Sequence, residues 1–171
     1  MKKATFFGGS MNDTSSVEYI ETVKIGTYLA DKNYNIISGG YRGLMEGISK
    51  GASLSNNKVH IIGYTCETFG HYSGNRYLTE EKKCSTIFTR LEKLIDSSDL
   101  YIIQKGGIGT LSELFLTLDI IRKYKENIPK IILIGSFWKT IFNSLKILIT
   151  EKEFNLITFV DNYEEFTKID I

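Results

Sequence analysis

Three short apolar runs in this chain end in paired glycines, and each is followed by residues at helical spacing. Ala4-Thr5-Phe6-Phe7 runs into Gly8-Gly9-Ser10, and Tyr34-Asn35-Ile36-Ile37 runs into Ser38-Gly39-Gly40-Tyr41-Arg42-Gly43. Leu100-Tyr101-Ile102-Ile103 leads to Gly106-Gly107-Ile108-Gly109. Continuous rather than alternating apolar runs predict strands covered on both faces, and strands that alternate with helices predict a parallel sheet. Further strands are predicted at 59–62, 131–134 and 156–160. Helices are expected after Ser15, whose pairing with Glu18 reads as a capping box, and at 44–54, 87–95, 110–124 and 138–149. A long polar loop is expected over 64–83. The pattern predicts a doubly wound, Rossmann-like, mostly parallel sheet of about six strands with helices on both faces.

A chain of 171 residues and 19.5 kDa has the length of one domain, so residues 1–171 are expected to form a single nucleotide-binding α/β unit. Its 21 basic residues nearly cancel its 20 acidic ones, and this balance argues against a nucleic-acid or membrane surface. No apolar run is long enough to span a bilayer, and Met1-Lys2-Lys3 leads into a strand rather than a secretion signal; a cytoplasmic protein is expected. Cys66 and Cys84 have neither the spacing of a zinc site nor that of a disulfide framework. His60 in a strand and His71 in a loop lack ligand spacing, so no metal is expected.

In open parallel sheets, ligands bind beyond the carboxyl ends of the strands. Glycines there let a ligand approach the backbone, and the N–H groups of the following helix attract an anion. Gly8, Gly9, Ser10, Gly39, Gly40, Gly43, Gly106, Gly107, Gly109 and Thr110 are therefore expected to hold a phosphate, with Lys105 as a possible added charge. The pattern of a P-loop is absent, and Gly107-Ile108-Gly109 lacks the third glycine of the dinucleotide fingerprint. The run from Gly106 to Glu113 places an anion-binding turn beside a carboxylate. Thr110-x-x-Glu113 also reads as a capping box that only ties down a helix start.

Gly106-Gly107-Ile108-Gly109-Thr110-Leu111-Ser112-Glu113 after a strand, with Gly39-Gly40-Tyr41-Arg42-Gly43-Leu44-Met45 before it, resembles the LOG (Lonely Guy) family, over nearly the whole chain. Characterised members are cytokinin riboside 5′-monophosphate phosphoribohydrolases, and many relatives carry the label lysine decarboxylase. The resemblance implies an active-site arginine at Arg90, a carboxylate at Glu113, no cofactor, and a homodimer. Cytokinin-activating members read Arg-Lys and Pro-Gly-Gly where this chain has Arg90-Leu91 and Lys105-Gly106-Gly107. The loop containing Asn75, Arg76 and Glu80 is similar to a less characterised bacterial branch described as nucleotide-binding, and these three are candidates for lining the nucleoside end. The implied activity is hydrolysis of the N-glycosidic bond of an AMP-like nucleoside 5′-monophosphate, in which Glu113, its charge favoured near a helix start, stabilises a cationic sugar or activates water. The alternative is a protein that binds a nucleotide or another phosphorylated metabolite without turning it over. A decarboxylase using pyridoxal phosphate would need a Schiff-base lysine with a partner for the ring nitrogen, and no such constellation stands out.

Overall fold

The computed structural model describes residues 1–69, 73–96, 98–124 and 126–171. Seven strands form one sheet: β1 (Lys3–Phe7), β2 (Asn35–Ser38), β3 (Ile61–Cys66), β4 (Glu80–Cys84), β5 (Leu100–Ile103), β6 (Lys130–Ile134) and β7 (Ile157–Val160). Between them lie α1 (Val17–Asp31), α2 (Leu44–Ser53), α3 (Ile87–Ile95), α4 (Ile108–Ile121), α5 (Phe137–Leu145), α6 (Glu151–Phe154) and, after β7, α7 (Tyr163–Phe166). The strand order is β4-β3-β2-β1-β5-β6-β7 and every neighbouring pair is parallel. The chain builds outward from β1 to one edge, returns to place β5 beside β1, and builds outward again. Connections leaving β1 and β5 therefore diverge, which opens a crevice at the carboxyl ends of these two strands.

Successive strand residues point to opposite faces, and each face has its own core. Phe6, Ile36, Leu100 and Ile102 pack with Leu29 of α1, Ile48 of α2 and Phe166 of α7. Phe7, Ile37, Tyr101 and Ile103 pack with Leu94 of α3, Leu118 of α4, and Trp138 and Phe142 of α5. Continuous burial of the central strands is why their sequence is mostly apolar.

Three expectations are corrected. The seventh strand, β4, lies where a polar loop was expected over 64–83, because an edge strand bonds to one neighbour only and tolerates the exposed charges Glu80, Glu81 and Lys83. Its neighbour β3 begins two residues after the expected start and runs on to Cys66. The cap of α1 is Ser16, whose hydroxyl accepts the Tyr19 N–H at 3.2 Å, because Asp13 engages the Ser15 N–H at 2.9 Å and moves the helix start by one residue. Among the described residues no helix is long and apolar enough to cross a membrane. Gly70 and His71 lie outside the described residues.

Candidate functional site

The ladder between β1 and β5 continues into the loops that follow them. Gln104 N–H donates to Phe7 O at 3.0 Å and Gly9 N–H to Lys105 O at 2.9 Å. Gly9 O in turn accepts the Leu44 N–H at 2.8 Å, so the first glycine turn is bound to both of the others. Gly43 makes this approach possible: its φ of 65° suits glycine, and a Cβ there would meet Gly9 O at 2.5 Å. Over this junction lies a cleft of about 770 Å³. Gly8, Gly9, Ser10, Lys105, Gly106, Gly107, Gly109 and Thr110 line it together with Arg90 and Glu113.

Arg90 and Glu113 come from different helices, α3 and α4, and meet across the cleft. Arg90 Nη1 donates to Glu113 Oε1 at 3.1 Å, with both residues buried (5% and 8% exposed). Arg90 Nε donates to Tyr64 O at 2.7 Å, and its guanidinium carbon lies 5.7 Å from the centre of the Tyr41 ring. Gly39 leaves the space this arrangement needs, since a Cβ at that position would overlap the Arg90 guanidinium and the Met45 sulfur. No hydrogen bond joins Glu113 Oε2 to another of the described residues, so an acceptor remains in the wall of the cleft.

Helix α4 starts at Gly107, its N-cap, and no side chain caps it. Thr110 is thus the third helical residue and Glu113 the sixth, which removes the capping-box reading. The expectation that a helix start favours the Glu113 charge is also corrected. Burial pushes the carboxyl above its ordinary range, and the Arg90 charge and hydrogen bond only oppose that rise. Gly107 and Gly109 have no internal packing reason to be glycine. Neither has a positive φ, and a Cβ on either would meet nothing within 4 Å. That open space sits over the free N–H groups of the first turn, where an anion is favoured. Lys105 Nζ lies 2.9 Å from Glu18 Oε1, and this pairing holds the Glu18 carboxyl below its usual range.

Other expected residues lie elsewhere. Gly39, Gly40 and Gly43 support the cleft from behind rather than line it. Asn75, Arg76 and Glu80 are not among the described residues that line it. Asn75 grips the main chain at Gly40 and Tyr41, Arg76 donates to Tyr77 Oη at 2.9 Å, and Glu80 pairs with Lys82 on β4 at 3.4 Å. The apolar wall of the cleft includes Met11, Tyr41, Met45, Ile87, Leu91 and Ile108, and Asn12 adds a polar group. The spacing of Ile87 and Leu91 reads as a core-facing helix stripe, and nothing in that spacing separates a core from a cleft. Tyr41 and Met45 lie inside the second glycine motif, which was the available signal.

Fold and cleft together define an α/β protein with an open cleft at the switch point of a parallel sheet. The chain belongs to the LOG family: the family model described as "Possible lysine decarboxylase" matches residues 45–169. A probable cytokinin riboside 5'-monophosphate phosphoribohydrolase, LOGL2, of Oryza sativa subsp. japonica is 28% identical over 116 residues, which are 66% of this chain and 46% of the rice protein. The chain thus matches less than half the length of that relative. Among solved structures, the structural-genomics target TM1055 superposes with a TM-score of 0.76 at 21% identity, covering 98% of this chain and 97% of that one. A molybdenum cofactor binding protein from the phototrophic bacterium Rippkaea orientalis gives a TM-score of 0.75 at 19% identity, covering 98% and 93%. At these identities the two structures show a shared fold.

Proposed function

We propose that the chain hydrolyses the N-glycosidic bond of a nucleoside 5′-monophosphate, releasing the free base and ribose 5-phosphate. The observation that carries this reading is the buried Arg90–Glu113 pair in the wall of a cleft whose floor is an open helix N-terminus. The phosphate sits at the first turn of α4 and the Gly8-Gly9-Ser10 turn, where backbone N–H groups and the helix dipole favour it. Lys105 adds a cation at the same end. The ribose then lies toward Glu113, whose carboxylate stabilises positive charge as the glycosidic bond breaks and directs water to the anomeric carbon. Arg90 holds that carboxylate in place and favours its ionised form against the cost of burial. The base meets the apolar wall at Ile87 and Leu91. Exposed Phe88, Ile108, Phe115 and Leu116 on α3 and α4 supply an apolar face for a second copy of the chain.

The test is incubation with a panel of nucleoside monophosphates and assay of ribose 5-phosphate. The reading expects product from at least one of them, with Glu113→Gln and Arg90→Ala each lowering the rate by about 100-fold or more. Activity that survives both changes contradicts the residue assignment. Saturable binding without product from any substrate favours the second reading, a carrier of a phosphorylated small molecule, which the fold shared with a molybdenum cofactor binding protein supports.

A further inference from the structure

Tyr41 stands in the cleft wall beside the ion pair, and the proposed reaction gives it no part of its own. Its hydroxyl accepts the Cys66 N–H at 2.7 Å, which ties the ring to the last residue of β3. The same strand, two residues earlier, supplies the Tyr64 carbonyl that accepts Arg90 Nε at 2.7 Å. Arg90 is therefore held along one edge by β3, at one tip by Glu113, and across its face by an aromatic ring that β3 also anchors. A long, flexible side chain needs constraints of this kind to keep its guanidinium in one plane.

The main chain at Tyr41 is secured from another direction. Asn75 N–H donates to Gly40 O at 2.7 Å, and its Nδ2 donates to Gly40 O and Tyr41 O, both at 3.1 Å. Its Oδ1 accepts the Tyr77 N–H at 3.1 Å, so the 73–79 segment is folded around this one side chain. Asn75 is not among the described residues that line the cleft, and it acts on Tyr41 through the backbone it grips.

Resting on the reading that Arg90 and Glu113 act on the bound nucleotide, we infer that Tyr41 is a positioning residue for this pair and that Asn75 positions Tyr41. The ring fixes the plane of the guanidinium, the guanidinium fixes Glu113 Oε1, and Oε2 is thereby aimed. Displacing such a group by about 1 Å costs on the order of 100-fold in rate with little change in ground-state binding.

The experiment compares Tyr41→Phe, Tyr41→Leu and Asn75→Ala in the intact chain. AMP is the probe for kcat and KM. The Glu113 carboxyl is titrated by ¹³C NMR, its signal identified by its absence from Glu113→Gln, and this second readout needs no turnover. Tyr41→Leu and Asn75→Ala are expected to lower kcat by about tenfold or more while KM stays within about twofold. Tyr41→Phe keeps the ring and is expected to recover most of the loss. The Glu113 midpoint is expected to rise by about one pH unit in Tyr41→Leu, because a misplaced Arg90 opposes burial less well. An unchanged kcat and midpoint in Tyr41→Leu, or a Tyr41→Phe variant no better than Tyr41→Leu, overturns the inference. If Tyr41→Leu does not fold, the midpoint in Asn75→Ala settles the question, a rise supporting the inference and no rise overturning it. If the wild type hydrolyses no monophosphate, the proposed reaction fails, and the midpoints alone then test the positioning role.

Discussion

A buried carboxylate beside a buried guanidinium is a costly arrangement, since each charge has lost its water. At Glu113 burial outweighs the help from Arg90, and the carboxyl sits above its ordinary range. The sign of the pH dependence follows. A group whose folded-state pKa is raised contributes stability below its unfolded value, and that contribution is lost as the pH climbs through the folded value. Glu113→Gln does not titrate, so the stability of the native protein relative to this variant is expected to be greatest in acid and to fall as the pH climbs from the ordinary glutamate value of about 4 through the raised folded value. Urea unfolding of both proteins across that range checks it, and a difference that stays level or grows toward neutral pH contradicts the electrostatics of the pair. Glu113 was legible from its motif, although two readings of Thr110-x-x-Glu113 competed until the helix start at Gly107 separated them. Arg90 was not legible from local pattern. An arginine on an amphipathic helix ordinarily reads as a solvated face residue, and here it came only through family resemblance.

Among the elements, α4 presents to the cleft a first turn that is open as well as uncapped. Gly109 lies within that turn with ordinary backbone angles and free space beside it, so alanine suits the fold at least as well as glycine. Gly109→Ala is therefore expected to keep or raise the melting temperature and to weaken AMP binding by about tenfold or more, which is about 1.4 kcal/mol. Thermal unfolding and a binding titration on the same sample separate these effects. A loss of stability would make the glycine a structural requirement, and unchanged affinity would remove the ligand from the turn. Strands buried on both faces were readable because burial leaves an unbroken apolar run. Edge strand β4 was not, because Glu80-Glu81-Lys82-Lys83-Cys84 carries the charges of a solvated edge and its ladder has one neighbour, β3.

Over the whole molecule, the strand order places the divergent loops of β1 and β5 side by side, and the hydrogen bonds among Gly9, Leu44 and Lys105 fasten the first and third glycine turns into one floor backed by the second. The residues that meet there are separated by up to a hundred positions in the chain. Sequence reading reached the turns because each ends a strand, but not the apolar wall, since Ile87 and Leu91 serve the cleft with the same spacing that would serve a core. The central claim is that this floor holds the phosphate of a nucleotide and that Arg90 and Glu113 stand at its sugar. An amide NMR titration with AMP tests it most directly. The largest saturable shifts are expected at Gly9, Gly107, Ile108 and Gly109, with a further change at the Arg90 side chain. Saturable shifts confined to another part of the surface, with these amides unmoved, would contradict the claim.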